Sequence, residues 1–128
     1  MRELIKAYKA LSDESRLRVL NLLMERECCV CEVMQALEIS QSKASRILSA
    51  LYDAGFLKLR KEGLWSLYSI DRDGMSRHLR EILEANREAF QSDKQMEEDR
   101  ENLKKAERIG PACVTGQCRV KPVQIQTN

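Results

Sequence analysis

The 128-residue sequence is poor in turn formers, with 5 glycines and 2 prolines. That scarcity argues for a mostly helical fold and against an all-β sandwich, which needs many turns. No apolar run approaches the roughly 20 residues of a membrane-spanning helix. Met1–Lys9 is already charged and amphipathic, so a secretory signal is not expected and a cytoplasmic location is. There is one histidine, His78, read as a surface helix residue rather than a ligand. Net charge is only +2, too small to announce a polyanion partner by itself. No internal repeat is present. What remains, with 43% hydrophobic and 33% charged residues, is a folded and well-solvated chain the size of one domain, two small ones at most.

Charge is concentrated locally. Residues 41–61 carry Lys43, Arg46, Lys58, Arg60 and Lys61 against Asp53 alone, whereas residues 71–128 balance 11 basic with 11 acidic side chains. A basic patch on a neutral body suggests a defined contact face. Cysteine is the odd feature: Cys28, Cys29 and Cys31, then Cys113 and Cys118. An odd count in a chain without an expected signal argues against a disulfide framework. Reduced thiols bunched as Cys-Cys-Val-Cys look like ligands or redox groups; the plain alternative is small buried hydrophobes plus two tail cysteines.

Leu4, Ile5, Tyr8 and Leu11 space a short helix over 3–11. Ser12 and Asp13 offer caps for a second over about 14–25, and Val33, Met34 and Leu37 mark a third of about eight residues. Ser40 should cap a helix from Gln41, whose stripe Ala44, Ile47, Leu48 and Leu51 turns Ser42, Lys43 and Arg46 elsewhere; Gly55 stops it. Two short helices around a tight turn make a helix-turn-helix. Phe56–Lys61 and Leu64–Ile70 then alternate around Glu62-Gly63 as a two-stranded hairpin, basic near its tip. The expected fold is therefore mainly α with a β-hairpin wing, a winged helix-turn-helix. Further on, Met75, Leu79, Ile82, Leu83 and Phe90 predict a longer helix, and Ser92 with Gln95 a capping box opening another over 93–108. The expected organisation is 1–91 for DNA binding and dimerisation, 92–109 as a polar helical extension, and 110–128 as a flexible cysteine-containing tail.

A helix entering the major groove reads bases near its N-terminus, where its dipole also attracts phosphate. Gln41, Ser42, Lys43, Ser45 and Arg46 occupy those turns, and Arg60 and Lys61 on the wing would reach a flanking groove or backbone. Double-stranded DNA is the partner this pattern fits. On an ideal helix Cys29 and Cys31 lie about 200° apart, and converge only if the segment is extended or its first turn unwound. Cys28 and Cys31 would share a face of an intact helix. Thiolates suit thiophilic ions, not magnesium or calcium. An enzyme using Cys28 and Cys31 as a redox pair lacks the βαβ context and a partner acid or base, so no enzymatic activity is expected. A module that binds a partner without binding DNA is the remaining class.

Residues 4–71 resemble the ArsR/SmtB family of metal-responsive repressors. The likeness is carried by Leu11-Ser12-Asp13-Glu14-Ser15-Arg16-Leu17, Cys29-Val30-Cys31-Glu32-Val33, Ser40-Gln41-Ser42-Lys43-Ala44-Ser45-Arg46, Ala54-Gly55-Phe56-Leu57 and the wing Arg60-Lys61-Glu62-Gly63 ending at Tyr68. It implies a homodimer that leaves operator DNA when arsenite or antimonite binds thiolates; cadmium, lead or zinc, or a redox or persulfide signal, are the alternatives. Met34 stands where the arsenic branch often has its third cysteine, and Ile47 where the family commonly has a histidine. The family's zinc site on the C-terminal dimer helix, which needs Asp and several His, is absent. The metal candidates are Cys29, Cys31, Cys113 and Cys118, with Cys28 as a supplement. The apolar stripe of Leu79, Ile82, Leu83 and Phe90 is expected, with the helix at 3–11, to form the dimer interface.

Overall fold

The computed structural model describes residues 1–109. In chain order the elements are α1 (Arg2–Leu11), α2 (Glu14–Glu25), β1 (Cys28–Cys29), α3 (Val30–Leu37), α4 (Gln41–Asp53), β2 (Leu57–Glu62), β3 (Trp65–Ile70), α5 (Arg77–Ala85), α6 (Arg87–Ser92) and α7 (Lys94–Lys105). Side-chain oxygens start four of these helices. Asp13, Ser40, Ser76 and Asp93 accept the backbone N–H of Arg16, Lys43, Leu79 and Met96, satisfying donors that a helix start leaves orphaned. Ser92 is not the cap of α7; its hydroxyl turns back to the Glu88 carbonyl at 3.1 Å, and Asp93 one residue later does the capping.

Between α3 and α4 the chain turns at Glu38, left-handed at φ 57°. Gly55 follows α4 at φ 97°, and a Cβ there would stand 3.0 Å from a Leu79 methyl, so conformation and space both call for glycine. The buried stripe of α4, Ala44, Ile47, Leu48 and Leu51, closes on a core with Val19, Leu20, Leu22, Val33, Phe56 and Leu67. Each such large side chain contributes about 1.5–3 kcal/mol of transfer free energy, an upper bound because the unfolded chain already buries some surface.

The hairpin was expected to have two strands; a third is present. β1 pairs antiparallel with β3, with Cys28 opposite Tyr68 and Cys29 opposite Leu67. β3 also pairs with β2, with Arg60 opposite Leu67 and Glu62 opposite Trp65. The loop is thus Gly63-Leu64, one residue later than expected, and Gly63 at φ 64° supplies the positive φ its first position needs. The helix expected over 75–90 is divided at Asn86. The Asn86 side-chain amide donates to the Ile82 carbonyl at 2.7 Å, a side-chain bond that competes with the helical ladder.

Helix α7 lies against α2 and α3. Asp99, fully buried, takes a two-point bond from Arg18 at 2.7 and 2.8 Å. Asn21 donates to the Met96 carbonyl, Arg100 donates to Asn21 Oδ1, and Arg26 donates to the Leu103 carbonyl. Leu79, Leu83 and Phe90 are buried inside this chain, so the stripe expected at a dimer interface is mostly spent on the chain's own core. The large apolar residues left exposed on α1 and at its N-cap are Ile5, Tyr8 and Met1.

Candidate thiol site and nucleic-acid interface

Cys29 ends β1 and stands at the N-cap of α3, with φ −92° and ψ 171°. Its side chain therefore leaves an extended residue, and the sulfurs of Cys29 and Cys31 approach to 2.8 Å. The helical divergence expected of an i, i+2 pair never arises, and α3 keeps its first turn. Cys28 is on the same strand but one residue earlier, so its side chain takes the opposite face of the sheet. Its thiol donates to the Arg26 carbonyl at 3.5 Å, away from the pair.

All three thiols are buried. The hydrogen bond with the Cys31 sulfur, then burial, pushes the Cys29 thiol well above the ordinary range. Burial, then the nearby Glu32 carboxylate, pushes Cys28 up to about 12. Both are protonated at neutral pH, and an incoming ion must displace those protons.

Glu32, which sequence reasoning did not single out, organises this junction. One carboxylate oxygen accepts the Cys29 N–H at 2.9 Å. The buried carboxylate also pairs with Arg26 at 2.9 Å and Arg108 at 3.1 Å. A visible signal was Cys29-x-x-Glu32, a capping-box spacing with cysteine in the serine position. Arg108 had no local signal, because it arrives from 76 residues away. Gln35 holds Glu107 at both backbone atoms, 2.7 and 3.0 Å. The Glu107 carbonyl consequently lies 3.9 Å from the Cys31 sulfur. Among the described residues no three His, Cys, Asp or Glu side chains are grouped to hold a metal. Cys113 and Cys118 lie outside the described residues.

The other face belongs to α4 and the wing. Ser42, Lys43 and Arg46 are exposed, and Gln41 and Ser45 half-buried. The Gln41 amide donates to Ser45 Oγ at 3.2 Å. Ile47 is in the core, so it does not present its side chain where a base-reading residue would stand. Arg60 and Lys61 are neighbours on β2, so their side chains leave the strand toward opposite faces of the hairpin. Arg60 is engaged by Glu27 at 2.7 Å and Glu62 at 3.0 Å. Lys43, Arg46 and Lys61 form no ion pair among the described residues. His78 is exposed on α5. No helix of the described residues is long and apolar enough to cross a membrane.

A family model described as "Bacterial regulatory protein, arsR family" matches residues 13–59. Over 100 residues the chain is 37% identical to the arsenic resistance transcriptional regulator ArsR1 of Pseudomonas putida, covering 73% of this chain and 78% of that protein. It is 37% identical over 83 residues to the cadmium resistance transcriptional regulatory protein CadC homolog of Staphylococcus aureus, covering 64% of this chain and 65% of that one. Among solved structures, the homodimeric winged helix-turn-helix DNA-binding domain of Mb0332 from Mycobacterium bovis, a possible ArsR-family transcriptional regulator, superposes with a TM-score of 0.59. The identity is 25%, over 69% of this chain and 78% of that one.

Proposed function

Since the chain belongs to the arsR family of bacterial regulatory proteins, we propose that it is a repressor that binds operator DNA as a homodimer and is released when arsenite or antimonite binds its thiols. The observation that carries the inducer reading is the buried pair of sulfurs 2.8 Å apart, Cys29 and Cys31, at the root of the helix that supports α4. Two soft donors already face one point, and a trivalent arsenic species takes three.

Cys113 or Cys118 is the proposed third donor. The Glu107 carbonyl lies 3.9 Å from the Cys31 sulfur. Cys113 is six residues further along, a span of at most ~20 Å of chain, enough length for its sulfur to reach the pair. The ligation balances as As(OH)3 plus three thiols giving three As–S bonds and three waters. Each thiol proton leaves on a hydroxide.

On the DNA side, Gln41, Ser42, Lys43, Ser45 and Arg46 are proposed to enter the major groove, with Arg60 and Lys61 on the flanking backbone. A twofold dimer would place half-sites about 34 Å apart or a multiple of that. Likeness to a cadmium regulator supports the second reading, a cadmium, lead or zinc sensor using Cys29, Cys31, Cys113 and Cys118. The test is release of a duplex selected by the protein from a random pool, titrated under reducing conditions with arsenite, antimonite, cadmium, lead and zinc. Release at the lowest concentration by arsenite or antimonite is expected. Release by cadmium, lead or zinc alone would replace this reading with the second, and release by an oxidant alone, in a parallel titration without reductant, with a thiol redox sensor.

A further inference from the structure

Arg60 occupies a rung of the sheet that runs through Leu67 to Cys29. Its guanidinium forks onto Glu27, Nε donating to Oε2 at 2.7 Å and Nη2 to Oε1 at 2.9 Å, with a further bond from Nη2 to Glu62 at 3.0 Å. Glu27 is only two residues ahead of Cys29. Its backbone carbonyl accepts from Arg26 at 3.1 Å and from Arg108 at 3.5 Å, the same two arginines that hold the Glu32 carboxylate beside the thiols. The two-point fork is also how a guanidinium grips a phosphate. One guanidinium cannot present the same Nε and Nη2 edge to a carboxylate and a phosphate at once.

We propose that Glu27 is a positioning residue that competes with a DNA phosphate for Arg60, so that the wing's grip on DNA is set from the segment that carries the thiol pair. This rests on the reading of Arg60 as a DNA contact. Arg60 is more than half exposed and Glu27 about a quarter, so the fork is an exchangeable surface pair and not a buried structural one. The other cationic residues proposed to contact DNA, Lys43, Arg46 and Lys61, carry no such carboxylate competitor among the described residues.

The full chain is tested as wild type, Glu27→Gln, Arg60→Gln and the double variant, by fluorescence anisotropy on the selected duplex across a salt series. Glu27→Gln should tighten binding about three-fold near 0.1 M salt, the size of a freed surface pair. It should also steepen the slope of log affinity against log salt by about 0.9, one more phosphate neutralised. Arg60→Gln should weaken binding and flatten the slope, and Glu27→Gln should add nothing in that background. If Arg60→Gln weakens binding while Glu27→Gln changes neither affinity nor slope, the competition is refuted and the wing contact stands. If Glu27→Gln tightens binding equally with and without Arg60, Glu27 acts through general charge and the proposal is likewise refuted. If Arg60→Gln leaves affinity and slope unchanged, the reading of Arg60 as a DNA contact fails first.

Discussion

Cys29 ends a strand and opens a helix with the same extended backbone, and this places its sulfur 2.8 Å from that of Cys31. Its thiol is pushed up by that contact and by burial, which separates the two classes of inducer by their proton balance. Arsenite carries hydroxides that leave as water with the thiol protons, so its apparent affinity should be flat between about pH 6 and 8. Cadmium carries none, so each displaced proton goes to solvent. Raising the pH draws that proton off, and cadmium affinity should rise about tenfold per pH unit for every proton released. Release midpoints measured across that range check both signs. The convergence was only half legible from the sequence: two-residue spacing forbids it on a helix, and the one local mark that Cys29 precedes the helix is its capping-box spacing to Glu32. Strand β1 is two residues long and exists because β3 pairs with it, a long-range cause that no local pattern carries.

Among the elements, the helix starts at Asp13 and Ser40 and the stop at Gly55 were legible because capping is local chemistry. The strands of the wing were legible from alternation. The division of the helix at Asn86 was not, because 3–4 spacing of Leu79, Ile82, Leu83 and Phe90 runs straight through it. Nor was the fate of that stripe, since apolar spacing tells which face is buried but not against what. Leu83, 1% exposed, belongs to the chain's own core. Leu83→Glu should therefore unfold the chain and not merely split a dimer, as an unpaired carboxylate buried there costs more than about 4 kcal/mol. Tyr8 on α1 is 58% exposed, beside exposed Ile5 and Met1. Tyr8→Glu should keep the thermal unfolding midpoint near wild type and sediment as a monomer. A Tyr8→Glu protein that remains dimeric would move the contact off this face of α1.

Taken whole, the molecule folds its last described helix back over its second and third. Arg18 with buried Asp99, Arg100 with Asn21, and Gln35 with Glu107 bring residues 106–109 over the start of α3. The polar composition of α7 gave little sign of this, because its anchors are ionic and hydrogen-bonded and only Met96, Asp99 and Leu103 are buried on it. The last described residues therefore lie beside the thiol pair, at the start of the helix that supports α4. Release needs operator affinity to fall only about 100-fold, a coupling of roughly 2.7 kcal/mol, modest beside the free energy that several metal–thiolate bonds supply. The decisive measurement is an arsenite release titration of the selected duplex with wild type, Cys29→Ser, Cys31→Ser and a chain truncated after Ile109. The account predicts wild-type duplex affinity for all four without arsenite, no release for either serine variant, and release of the truncated chain only at higher arsenite. Release of both serine variants at the wild-type arsenite concentration would contradict it.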